Sequence, residues 1–195
     1  MTASPHDHRE LLDRLLKGQP VETLDSRTLG GKATYRADRG QPLEAALLFE
    51  AASRRAAEDA DELTALEHAA RAALCCFEAG EVGRAVPMWR EVIAWHGRVG
   101  PNRDDHMVEW GFYHLLLFAA QEMDRRAFVT LFTEAERTAP SFPRIHPHQA
   151  ELLELAVTLG CNDLVAKIAA AIYRRRPISR ALRARLKQLG LGPSR

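Results

Sequence analysis

Trp110, Tyr113 and His114 stand at i, i+3 and i+4, a spacing that places three side chains on one face of a helix. Two large amphipathic rings beside an imidazole suit the capture of a partner, with the rings as anchors and the imidazole giving direction. His106 and Glu109 precede them, and His114 lies two turns beyond His106, so a metal-ligand row is the other chemistry to weigh. Zinc needs three or four converging ligands. Neither this row, nor His146-Pro147-His148, nor His6-Asp7-His8 has a spacing that selects a metal. The Glu-x-x-His pair of a di-iron bundle is also missing. No metal or cofactor is expected.

Covalent and phosphate chemistry leave no signature. The chain has no G-x-x-x-x-G-K-[ST], no dinucleotide-binding glycine fingerprint and no G-x-S-x-G. Gly30-Gly31-Lys32 is too short for a phosphate loop and follows no strand. Cys75 and Cys76 are neighbours on a helical pattern, so their side chains point about 100° apart and cannot bridge without strain. With Cys161 they read as small buried hydrophobes. The expectation is a protein that binds and does not catalyse.

The elements that position these residues are punctuated by proline and glycine. A helix over 5–17 starts at Ser4-Pro5 and stops at Gly18, with Leu11, Leu12, Leu15 and Leu16 as its apolar stripe. Residues 18–41 hold four glycines and few apolar anchors, so they read as a long connection with a short helix around 32–38. Helices follow over 42–58, 61–79, 82–96, 105–121, 124–138, 147–159, 162–176 and 178–189. Pro42, Pro147 and Pro177 mark starts or breaks, Asp61, Asp104 and Asn162 caps, and Gly80, Gly160 and Gly190 stops. Pro87 should kink the 82–96 helix or delay its start. No segment alternates with period two, so the fold class is all-α. The division expected is 1–41 as an N-terminal helix plus glycine-rich connection, and 42–195 as a helical-hairpin domain.

One pattern restarts at Gly40, Gly80, Met123 and Gly160. It runs on to Ala45, Phe49 and Ala52, then to Ala85, Trp89 and Val92. The third runs to Phe128, Phe132 and Ala135, and the fourth to Val165, Ala169 and Ile172. Around Gly80, AARAALCCFEAGEVGRAVPMWREVI resembles a tetratricopeptide repeat. Ala73 matches the small residue of its first helix, Cys76 and Phe77 its aromatic region, Gly80 the turn, Ala85 the second small residue and Trp89 its aromatic. Phe112, Leu115 and Leu116 with Phe128, Phe132 and Ala135 fit a further unit closed by Pro140, whereas the first unit lacks a clear preceding helix. Spacings of 40, 43 and 37 residues exceed the family's about 34, and a HEAT-like hairpin stack fits the period as well. The resemblance implies a right-handed α-solenoid of eight or nine helices, with ligands on the concave face of the first helices. Carried over, that face is Glu67, Arg71, Leu74, Phe77 and Glu78, then Trp110, Tyr113, His114 and Leu117.

The charge balance of +1 hides an asymmetry. Residues 44–67 carry seven acids against Arg54 and Arg55, whereas after Asp163 there is no acid and nine basic residues follow. Arg174, Arg175, Arg176, Arg180 and Arg183 form a basic patch that would meet nucleic-acid phosphates or an acidic protein. Only Tyr173 is near it, so base stacking is not expected. No apolar run approaches the ~20 residues of a membrane span. MTASPHDHRELLDRLL has acids where a signal peptide wants an apolar stretch, which favours the cytoplasm. Twenty-three arginines against four lysines point to a GC-rich bacterial genome. The leading expectation is therefore a protein- or peptide-binding adaptor. An immunity protein neutralising a cognate toxin, and a nucleic-acid binder using the basic C-terminus, are the alternatives.

Overall fold

The computed structural model describes residues 5–99, 105–139, 142, 148–174 and 178–191. Among these the protein is all-helical, with ten α-helices and no strand. They are α1 (Pro5–Leu15), α2 (Ser26–Ala37), α3 (Pro42–Glu58), α4 (Glu62–Glu78) and α5 (Val82–Val99), then α6 (Asp105–Gln121), α7 (Arg125–Thr138), α8 (Gln149–Thr158), α9 (Asn162–Arg174) and α10 (Arg180–Gln188). The chain divides into two compact units, Met1–Asn102 and Arg103–Arg195. No described helix is long and apolar enough to cross a membrane.

Nine of the ten helices fall where caps and glycines place them, although Asn162 is the first residue of α9 and Cys161, not Asn162, holds its cap position. The turns explain the recurrence. Gly40, Gly80, Met123 and Gly160 all have positive φ (69°, 77°, 54° and 65°), each one residue before a new helix cap. The next amide reaches back five residues in every case: Gln41 to Arg36 O, Glu81 to Cys76 O, Asp124 to Ala119 O and Cys161 to Ala156 O, at 2.9–3.1 Å. This is the Schellman closure, which satisfies orphan carbonyls and reverses the chain in about three residues. Ala60 repeats it between α3 and α4, with φ 58° and Asp61 N bonded to Ala56 O. Asp25, Asp61, Asp124 and Ser179 then cap the following helices by accepting from the amides of Thr28, Thr64, Ala127 and Leu182.

Two expectations need correction. The 18–41 segment is not chiefly a connection: after a single 3-10 turn at Val21–Thr23, a twelve-residue helix occupies Ser26–Ala37. It packs along α3 and buries Leu29, Gly30 and Ala33, and so supplies the partner that the first hairpin lacked. Apart from Leu29 its buried face is made of small residues, which leave no bulky stripe to read. Of the two outcomes expected of Pro87, a kink or a delayed start, the delay does not occur: α5 begins at Val82. Proline leaves the Gly83 carbonyl without its i+4 amide. Both residues are exposed, so that carbonyl can be met by water.

In the first unit, α2–α3 and α4–α5 are hairpins joined through the α3–α4 contact, and α1 lies on α3. The core combines alanines (Ala33, Ala45, Ala46, Ala52, Ala72, Ala85) with Leu16, Leu29, Leu48, Phe49, Cys75 and Cys76. His68 of α4 enters this core, 8% exposed, with its ring stacked on Phe49 at 5.8 Å. Gly30 faces it so closely that a Cβ there would lie 2.5 Å from His68 Cε1. In the second unit α6 pairs with α7, α8 with α9, and α6 meets α8. Phe112, Phe128, Phe132, Phe142, Leu152, Leu153 and Ile168 are fully buried there. Pro140, Pro147, Pro177, Ser4 and Asp104 lie outside the described residues.

Candidate functional site

The face predicted around Trp110 turns inward. Tyr113 and His114 are 4% and 6% exposed, and Trp110 and Leu117 are half-buried. Tyr113 stacks on His148 at 4.6 Å and its hydroxyl donates to the Glu151 carboxylate at 2.5 Å. Trp110 meets the rings of His148, Tyr113 and His114 within 5.6 Å, and its indole N–H donates to His106 Nε2 at 2.9 Å. His114 donates from Nδ1 to the Trp110 carbonyl at 2.7 Å. Burial holds the His114 imidazole below its ordinary range, the Trp110 carbonyl opposes this, and His148 reinforces it. Burial, reinforced by Glu151, raises the Tyr113 hydroxyl well above the usual phenol range. The residues do share a face, but that face fastens α6 to the start of α8.

The α4 row behaves differently. Glu67, Arg71 and Glu78 are exposed, and Leu74 and Phe77 are half-buried. Arg71 lies over the Phe49 ring at 5.9 Å. In the basic patch Arg174, Arg180 and Arg183 are exposed, whereas Arg175 and Arg176 lie outside the described residues. Arg185 does not belong to the exposed set. Its Nε and Nη2 donate to both oxygens of Glu154 at 2.7 and 2.8 Å, tying α10 to α8.

A groove of about 1220 Å³ lies within the first unit. Its floor is the polar edge of α3, from Leu47 and Glu50 through Ala51, Arg54 and Arg55 to Glu58. One wall is α1 with His8, Arg9, Leu12 and Asp13, continued by the turn from Gly18 to Glu22. The other is the start of α5, with Glu81, Gly83 and Arg84.

Charge organises the floor. Arg84 Nη2 and Glu50 Oε1 form a short ion pair, and Arg54 stands 4.0 Å from the other Glu50 oxygen. Arg55 pairs with Glu58 at 3.0 Å and Asp59 at 3.5 Å. Behind Glu50, the buried Cys76 sulfur lies 4.0 Å from Oε1. Burial pushes the Cys76 thiol up to about 11, against the pull of Arg84, and the Cys75 thiol up to about 12. Neither offers a thiolate nucleophile at neutral pH. Among the described residues, His8 Nε2, Arg55 Nε, Glu81 Oε2 and Arg84 Nη1 are closed to water without a hydrogen-bond partner. Among the described residues no three His, Cys, Asp or Glu side chains converge as a metal site requires.

Sequence reasoning missed this groove. Its lining comes from separate stretches, and each looks like the solvated face of a helix. The available signals were the Glu50/Arg54 pair at i, i+4 and the Glu81/Arg84 pair at i, i+3. Comparison with known proteins found no matching family model, no matching curated protein and no matching solved structure.

Proposed function

We propose that this is a non-enzymatic helical-hairpin protein of tetratricopeptide-like build that binds a peptide segment of a partner protein in the α1–α3–α5 groove. The groove itself carries this reading, because it sets apolar side chains (Leu12, Val21, Leu47) beside the charged side chains of α1, α3 and α5 in one open trough. The exposed α4 row of Glu67, Arg71 and Glu78 offers a secondary contact surface. Trp110, Tyr113 and His114 support the scaffold instead of anchoring the partner.

Gly83 provides the test. A Cβ there meets nothing within 4 Å, so Gly83→Trp introduces bulk beside the groove without an immediate clash. Peptides enriched from a random library on the wild-type protein should lose binding to Gly83→Trp and keep it on Glu67→Ala/Arg71→Ala/Glu78→Ala. Equal binding to wild type and Gly83→Trp would refute the assignment.

A second reading rests on α10, where Arg180, Arg183 and Lys187 are exposed at i, i+3 and i+7 on one stripe. Nucleic acid would bind there through phosphates, with affinity falling steeply as salt rises. A gel shift with a short DNA duplex, repeated on the triple alanine variant, tests it. No salt-sensitive shift, or the same shift in the variant, excludes that stripe.

A further inference from the structure

The ring of His68 sits where three helices meet. Phe49 of α3 stacks on it at 5.8 Å, and the α2 backbone covers its edge at Gly30. The covered atoms are Cε1, Nε2 and Nδ1, which lie 2.5, 3.1 and 3.4 Å from where a Cβ on Gly30 would stand. Nδ1 is closed to water and has no hydrogen-bond partner among the described residues. Protonation makes both ring nitrogens donors, and a buried donor without an acceptor is costly. Water reaches that edge only when α2 lifts.

The surrounding charges offer no remedy. Its own helix presents Glu67 and Arg71, and the α4 cap presents Asp61; all three are exposed, so water weakens their hold on a buried charge. Among the described residues no charged side chain of α2 or α3 acts on the ring. The Phe49 face, which could steady a cation, already carries the Arg71 guanidinium at 5.9 Å. Gly30 and Gly31 stand in succession inside α2, so that helix has little stability of its own and depends on its seat. We propose that His68 is an acid-operated latch: its neutral ring accepts the close seating of α2, and its protonation raises the population in which α2 alone is undocked. Undocking uncovers the buried Leu29 and Ala33 together with the α3 face beneath them. The latch stands apart from the groove, which residues 26–37 do not line.

Hydrogen exchange of the whole chain, read by mass spectrometry, tests the latch. Burial makes the seated ring harder to protonate than a free imidazole, whose ordinary value is 6.5, so opening takes up a proton and gains as pH falls. Between about pH 7.5 and 5.5, residues 26–37 should lose protection by about three- to ten-fold after correction for intrinsic exchange. About ten-fold is the limit that a free imidazole of 6.5 sets over that interval. Residues 82–95 of α5 should keep their protection. His68→Met, which fills the space without titrating, should abolish the loss in α2. Unchanged protection over 26–37, or the same loss in His68→Met, overturns the latch. Equal losses over 26–37 and 82–95 also overturn it, because the whole unit then opens together. Should His68→Met fail to fold at neutral pH, the wild-type imidazole resonances decide. The His68 ring must then titrate in step with exchange in α2, and a mismatch of the two midpoints overturns the proposal.

Discussion

Two adjacent glycines in α2 allow a direct measurement of how tightly the first hairpin is seated. At Gly30 an added Cβ would stand 2.5 Å from His68 Cε1 and 3.1 Å from Nε2. Carbon atoms rest at about 3.5–4.0 Å, so the imidazole must retreat by roughly 1 Å. It has little room, because the ring is 8% exposed and lies against Phe49. Overpacking of this kind costs about 1–3 kcal/mol. At Gly31, one residue on, a Cβ meets nothing within 4 Å, so Gly31→Ala should gain the helical advantage of alanine, about 0.5–1 kcal/mol. Both substitutions share that advantage, so their difference isolates the collision at about 1–3 kcal/mol. Urea unfolding followed by far-UV circular dichroism gives both values. In a double-mutant cycle, Gly30→Ala should become less harmful in a His68→Ala background by a similar amount. Equal stabilities for the two alanine variants, or no coupling to His68, would refute the close approach of α2 and α4.

Further tests address the turns, the histidines and α10. Met123 holds φ 54° with its side chain 62% exposed, so Met123→Gly should stabilise by about 1 kcal/mol, while Gly160→Ala at φ 65° should destabilise by a similar amount; shifts in urea midpoint decide the signs. Burial lowers the imidazoles of both His68 and His114 from the ordinary 6.5, with Arg71 and His148 respectively reinforcing it. The unfolded chain thus binds more protons than the folded one, and stability should be flat above the ordinary value and fall as pH descends through it. His114→Gln should flatten the dependence between about pH 7.5 and 5.5, read from urea midpoints. Leu186 is fully buried, so Leu186→Ala should cost about 2–5 kcal/mol, well above Arg185→Ala at the half-buried pair with Glu154; a reversed order of thermal midpoints would show that α10 is held by charge.

The sequence made the helix boundaries legible because they are set by local chemistry. Glycines at positive φ, aspartates that accept from an amide three residues on, and Pro42 at the first turn of α3 all act within six residues. The helix α2 escaped because Leu29, Gly30 and Ala33 bury a face with almost no bulk, and hydrophobic periodicity registers bulk. The shared face of Trp110, Tyr113 and His114 was legible, but its direction was not. Gly111 to Leu116 are all buried, and a helix covered on every side carries no phase that separates inside from outside. The groove was the least visible feature. Arg9, Glu22, Glu50 and Glu81 converge only after three chain reversals, and each alone resembles an ordinary surface charge.

The three buried cysteines have a practical consequence. Cys75 and Cys76 belong to the first unit and Cys161 to the second, with every thiol at most 4% exposed. A membrane-impermeant alkylating reagent therefore reaches them only during opening events, so the chain carries a native clock in each unit. Peptide mapping after timed alkylation would give separate opening rates for the two units from a single unmodified sample. A peptide seated in the groove should slow the clock at Cys76, which lies behind Glu50, while Cys161 keeps its own time.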